Sequence, residues 1–450
     1  MTEYLENKAS LIEWIAAGEK PKEQWRIGTE HEKFGYSPDD FTPLPYEGPN
    51  GIKAMLEGLI DKGWQGKYEG DTLIALTRPK DQGGGSVTLE PGGQLELSGA
   101  PLVNIHQTCA EVGTHLKEVL QLADSLGQAY MGIGYAPDWS VADMPKMPKG
   151  RYDIMTDYMP TRGLRGLEMM YLTATVQVNL DFSSEADMVQ KMQIALALQP
   201  IATALFANSP FINGQSTGHV SERSLVWLDT DAQRTGNLPF VFDNFGYERY
   251  VDYALDVPMY FVIRDGHFID ATGLSFMDFL DGNLSVLPGE KPTGEDWENH
   301  LTTLFPEARL KRFIEMRGAD SGPRDTFCAL PAFWVGLLYD EATQKKALDM
   351  ISDWSSEERH AMRINAARQG LKAEFRDGSL LDVARRAIDL SREGLVARGA
   401  VDYEGANETQ YLKPLEVVIE QGCSPAETLA TRLSTEWQGD ITAVYKALTY

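Results

Sequence analysis

Between Thr173 and Phe182 the chain alternates polar and apolar residues without a break: Thr173, Thr175, Gln177, Asn179 and Asp181 against Ala174, Val176, Val178, Leu180 and Phe182. A period of two marks a β-strand, because successive side chains leave a strand on opposite faces. One face must lie on an apolar layer. The other consists of hydrogen-bonding side chains with no lysine among them, and it reads as the floor of a cleft.

Two further stretches bring acid to such strands. Thr29-Glu30-His31-Glu32-Lys33-Phe34-Gly35 falls in an expected strand over 25–36. Thr88-Leu89-Glu90-Pro91-Gly92-Gly93-Gln94-Leu95-Glu96-Leu97 falls in a second over 88–98, with a bulge or sharp bend expected at Pro91-Gly92-Gly93. Glu30 and Glu32 project from one face, about 7 Å apart along the strand. Carboxylates converging from two strands repel one another unless cations sit between them. Oxygen donors of this kind suit Mg²⁺ or Mn²⁺, which often hold nucleotide phosphates. The plain alternative is two solvated acidic strands.

Around these strands, helices are expected over 3–17, 104–126 and 186–208, and a short strand over 311–317 sets Glu315 and Arg317 on one side. Beyond Tyr339 the pattern is helical, with a capping box at Ser355-Ser356-Glu357-Glu358. Strands interspersed irregularly with helices favour an α+β fold with a largely antiparallel sheet. Residues 1–450 read as one catalytic unit whose stretch 340–450 is largely helical.

Charge narrows the partners. With 41 basic and 66 acidic residues the net charge is −25, which argues against nucleic acid and anionic membrane surfaces. An anionic nucleotide would then need metal ions and a few arginines to reverse the local potential. Lys149, Arg151, Arg162, Arg165, Arg223, Arg317 and Arg324 are the candidates, flanked by Gly, Pro or aromatic residues. Arginine grips carboxylate or phosphate in a bidentate way, although a single arginine is more often a surface ion pair. Arg151 and Arg317 stand out because each lies beside another polar-face residue.

Other chemistries find less support. His31-Glu32 is followed by Gly35 where a metalloprotease helix needs a second histidine. Gly83-Gly84-Gly85-Ser86 lacks the Gly-Lys-Ser/Thr of a phosphate loop and reads as a flexible loop. Cys109, Cys328 and Cys423 are too dispersed for a disulfide scaffold or a zinc site, and Cys109 falls on a helix's apolar stripe. No run approaches about 18 apolar residues, and the first ten residues, with Glu3 and Glu6, do not read as a signal peptide. The expected location is a reducing cytoplasm.

With these residues assembled, the chain resembles the plant-type glutamate–cysteine ligases, a family shared by plants and many proteobacteria, and reads as a proteobacterial member. The resemblance runs over nearly the whole length. It rests on Arg26-Ile27-Gly28-Thr29-Glu30-His31-Glu32-Lys33-Phe34-Gly35, Leu89-Glu90-Pro91-Gly92-Gly93-Gln94 and Met147-Pro148-Lys149-Gly150-Arg151-Tyr152-Asp153-Ile154-Met155. It continues through Thr175-Val176-Gln177-Val178-Asn179-Leu180-Asp181-Phe182, Asp256-Val257-Pro258-Met259-Tyr260-Phe261 and Glu315-Met316-Arg317-Gly318-Ala319-Asp320.

The resemblance implies a glutamine synthetase-like sheet cradle and an ATP-dependent ligation of glutamate to cysteine through a γ-glutamyl phosphate. It implies Glu30, Glu32, Glu90, Glu96, Gln177 and Glu315 as holders of Mg²⁺ (or Mn²⁺), and Arg151 and Arg223 as the clamp on the glutamate α-carboxylate. Arg317 resembles the contact to ATP phosphates, and with Glu315 the catalytic pair. Plant members carry a redox-active cysteine pair in a hairpin near the positions of Ala271 and Val286; neither is cysteine here, so that switch should be absent. Cys109 and Cys328 match a second pair of the family, which raises a disulfide between them as an expectation and leaves Cys423 free. Glutamate, cysteine and ATP are the implied small-molecule partners, and the chain is expected as a monomer or homodimer. A ligase of the same fold using another amine, or a non-catalytic sensor, remain the alternatives; a sensor has little reason to keep several mutually repelling carboxylates.

Overall fold

A computed structural model describes residues 4–79 and 83–450. Its centre is a nine-stranded sheet. The strands are β1 (Ile27–Tyr36), β2 (Gln65–Glu69), β3 (Thr72–Thr77), β4 (Ser86–Leu89), β5 (Leu95–Ser98), β6 (Ala129–Met131), β7 (Thr175–Leu180), β8 (Ala308–Leu310) and β9 (Ile314–Asp320). Their order is β8-β9-β7-β1-β5-β4-β3-β2, with β6 also paired to β1. Every neighbouring pair in it is antiparallel. The α+β architecture is the expected one.

The alternation in β7 does what its period demands. Val176, Val178 and Leu180 are buried on the apolar side, packed toward the helix Ala329–Leu338. Burying each such side chain contributes roughly 1.5–3 kcal/mol. The apolar helix Glu185–Leu205, capped by the Ser184 side chain, packs on β9. Apolar residues from Leu5 to Leu448 join in one contiguous buried cluster. Between Glu341 and Leu448 six α-helices follow one another, with two short 3-10 turns and the short hairpin Glu374–Phe375/Gly378–Ser379 among them. The capping box of Ser355 and Glu358 is present. The opening helix runs from Lys8 to Ala16, started by the Asn7 side chain, and Glu3 lies outside the described residues.

The stretch over 88–98 corrects one expectation. It is not a bulged strand but the end of a hairpin: Leu89 pairs Leu95 and Thr88 pairs Glu96 across β4 and β5. Pro91, Gly92 and Gly93 form the turn, closed by Gly93 N–H donating to the Glu90 carbonyl at 2.8 Å. Glu90 therefore stands at the hairpin tip, while Glu96 stands within β5. Gly93 has φ +84°, and a Cβ there would meet Ile52 Cδ1 at 2.5 Å. Gly93→Ala is expected to destabilise the protein by about 1–3 kcal/mol, read as a lowered melting temperature by calorimetry.

Candidate active site

The register brings the acidic side chains to one face of the sheet. Glu30 faces Gln177 across β1 and β7, and Glu32 faces Glu96 across β1 and β5. Glu315 of β9 faces Asn179 of β7. Paired residues share a face, and steps of two stay on it. Glu30, Glu32, Glu96, Gln177 and Glu315 thus form neighbouring rows on one surface, with Glu90 added at the hairpin tip.

Their hydrogen bonds differ. Glu30 accepts from Asn179 Nδ2 at 2.7 Å and Glu32 from the Thr175 N–H at 2.9 Å. Glu96 accepts from the hydroxyls of Thr88 and Ser98. Glu315 is instead ion-paired with Arg309 and with Lys311, the latter at 2.7 Å. Gln177 Oε1 accepts from Arg317 Nη1 at 2.7 Å.

Burial pushes the Glu30 carboxyl up to about 7, with Glu96 and Glu315 adding repulsion. Burial and the charges of Glu90 and Glu96 push Glu32 well up, and burial with Glu90 raises Glu96. Burial alone would raise Glu315 too, but Arg309 and Lys311 overrule it and hold it far below the carboxylate range. Carboxylates that raise one another in this way are held together against their own charge, which a bound cation would relieve. Among the described residues no group of three or more His, Cys, Asp or Glu side chains could hold a metal ion alone. The fit is one of donor chemistry: Mg²⁺-type ions are commonly held by one or two carboxylates and completed by substrate phosphates and water.

Beside this row lies a cavity of about 110 Å³. Glu32, Glu90, Thr175 and Gln177 line it together with three arginines, Arg151, Arg223 and Arg317. Arg223 is 3% exposed and donates through Nη2 to the Arg317 carbonyl at 2.9 Å. The Nε atoms of Arg151 and Arg223 are both buried with no hydrogen-bond partner among the described residues. Burial lowers Arg317 to about 10, with Arg309 repelling it. Trp227 and Phe305 form part of the wall.

Most of the remaining basic candidates go elsewhere, but Lys149 stays within reach of the charges of Glu90 and Glu96. Arg165 pairs Glu168 at 2.6 Å, Arg162 lies 3.8 Å from Asp231, and Lys149 donates to the Leu89 carbonyl at 2.7 Å beside the hairpin. Arg324 lines a mostly apolar cavity of about 680 Å³, the largest described, together with Cys109, Cys328 and Cys423 but with none of the acidic row. Cys109 and Cys328 form a disulfide with Cα atoms 5.8 Å apart, and Cys423 is free. Gly83 and Gly84 line another cavity, which includes Glu111 but none of the acidic row.

Sequence reasoning missed several participants. Thr175 was placed on the cleft floor and Lys311 at the start of a strand, both without a role in the site, and Trp227 and Arg309 were not singled out. On the reverse face of β1, Lys33 is wholly buried with Nζ 3.1 Å from His31 Nδ1, and burial lowers it to about 7 while Glu96 and Glu32 pull it back up.

Residues 26–447 match the family described as Glutamate-cysteine ligase family 2 (GCS2). The chain is 53% identical over 452 residues to glutamate–cysteine ligase A, chloroplastic, of Oryza sativa subsp. indica, covering 100% of this chain and 89% of the relative. It is 53% identical over 445 residues to the chloroplastic glutamate–cysteine ligase of Nicotiana tabacum, covering 98% and 83%. A glutamate–cysteine ligase of Francisella tularensis, solved in complex with AMP, shares the fold at 13% identity, with a TM-score of 0.54 over 94% of this chain and 88% of that one. These matches correct two expectations. The relatives are plant proteins, so a proteobacterial origin finds no support in them. They are also named chloroplastic, so the expected cytoplasmic location finds no support in them. Cysteine count bears on redox environment, not on which compartment supplies it.

Proposed function

The chain belongs to the glutamate–cysteine ligase family, whose members join glutamate to cysteine at the cost of ATP in the first step of glutathione synthesis, and from that premise we propose how its side chains divide the work. The observation that carries the reading is the pair of unpartnered buried Nε atoms on Arg151 and Arg223 in one cavity with Glu32 and Glu90. Two open guanidinium edges suit the α-carboxylate of an amino acid. The side chain of a glutamate held there would extend toward the carboxylate row.

A carboxylate is a poor acyl donor because oxide is its leaving group. In the proposed sequence a γ-carboxylate oxygen takes the terminal phosphoryl group of ATP, and the bond to the ADP oxygen breaks. The cysteine amine then attacks the acyl carbon of the γ-glutamyl phosphate, loses a proton, and inorganic phosphate departs. Such transfers need positioning and charge neutralisation more than covalent help. Within the row of Glu30, Glu32, Glu90 and Glu96, one or two carboxylates would hold each divalent cation, Mg²⁺ in this reading. When bound, that ion neutralises phosphate charge. Gln177 and Glu315, expected as further ligands, already hold Arg317, and Arg309 with Lys311. In this reading they aim those cations at the phosphates. Residues 1–450 act as one unit, a reading supported by the contiguous core.

Measuring ADP release with glutamate and a panel of amines tests the acceptor. Fast release with cysteine and at least about tenfold slower release with other amines is expected, since a site fitted to one side chain discriminates against others by roughly 1–3 kcal/mol. Equal or faster release with another amine would remove cysteine from the proposal.

A further inference from the structure

Trp227, which lines the arginine-lined cavity, also lines a second cavity of about 310 Å³. In a chain with a net charge of −25, this cavity is lined by Arg359, His360 and Arg363 and by no Asp or Glu among the described residues. The nearby carboxylates are already engaged. Glu307 accepts from Arg363 Nε at 2.7 Å, and Glu358 accepts from Arg376 at 2.8 Å.

Three of its lining residues carry a buried polar atom with no hydrogen-bond partner among the described residues: Trp227 Nε1, Asn237 Oδ1 and Arg363 Nη2. Arg363 itself is 8% exposed. Buried polar groups are almost always satisfied, so three such atoms on residues lining one cavity mark a place where a partner is missing. Two of them are donors and one is an acceptor. Leu228, Pro239 and Phe242 give the wall an apolar part beside the hydroxyl residues Thr235 and Ser356, with the Arg359 guanidinium stacked 3.6 Å from the Phe242 ring centre.

We propose that this cavity is a second ligand site, taking a small organic anion: a carboxylate or phosphate on a flat body that also carries one hydroxyl or amine donor. The anion faces Arg363 and the Trp227 N–H, and the donor faces Asn237 Oδ1. The volume suits a ligand of about one aromatic ring with its substituents. Because Trp227 walls both cavities, an occupant here also fixes one side of the arginine-lined cavity.

The test is calorimetric titration of the full chain with 4-hydroxybenzoate and, separately, 4-hydroxyphenyl phosphate, with glutamate, ADP and Mg²⁺ saturating the catalytic cavity. At least one probe is expected to bind with a Kd of about 1 mM or tighter, and the stronger of the two assigns the headgroup. Asn237→Asp and, independently, the exposed His360→Glu should each weaken it at least tenfold, while kcat and the KM for glutamate without probe stay within about twofold. Binding of neither probe, or binding unchanged in both variants, overturns the proposal.

Discussion

Glu32→Gln is expected to lower turnover by roughly 10²–10³-fold and, without divalent ions, to melt about 1–2 °C above the parent. The two effects have one cause. Glu32 is buried and raised by burial and by the charges of Glu90 and Glu96. Glutamine keeps the shape and can still accept from the Thr175 N–H, which lies 2.9 Å from Glu32 Oε2. It removes the charge that repels its neighbours, so the empty site relaxes, and it removes the charge a cation needs. Steady-state ADP release and scanning calorimetry in chelator check the pair. Lost turnover with lowered stability would mean that Glu32 is structural, and full turnover would remove it from the site.

Arg223→Lys is expected to lower kcat/KM for glutamate by about 2–5 kcal/mol, roughly 30–4,000-fold, with most of the loss in KM. Lysine is a point charge and cannot offer the open Nε edge while also donating to the Arg317 carbonyl, as the Arg223 fork does. Its effect on KM for ATP should be small by comparison. A glutamate KM within about threefold of the parent would place the carboxylate clamp elsewhere.

Much of the sheet was legible because alternation is a local property. β1 and β7 follow from a period of two read along a few residues. What local reading lacks is the pairing partner. Pro91-Gly92-Gly93 satisfies both a bulge and a hairpin turn, and only the registry of Leu89 with Leu95 separates them. β2 and β3 went unnoticed because they are short and partly exposed, with little apolar contrast between faces. The acidic row was legible from residue type and spacing. The partners of Glu315 were not, since Arg309 meets it only through the β8–β9 register. The bond between Cys109 and Cys328 closes 219 residues of chain, and nothing in spacing or composition points to it; the family resemblance alone did. Lys33 was hidden for a different reason: the alternation that sends Glu30 and Glu32 to the cleft sends His31 and Lys33 into the core.

Manganese binding, followed by electron paramagnetic resonance in the presence of ADP, tests the central claim most directly. The parent protein should bind Mn²⁺, and Glu30→Gln, Glu32→Gln, Glu90→Gln and Glu96→Gln should each weaken that binding by about tenfold or more. Affinity unchanged across all four variants would contradict the account, because the carboxylates gathered on this face would then hold no ion.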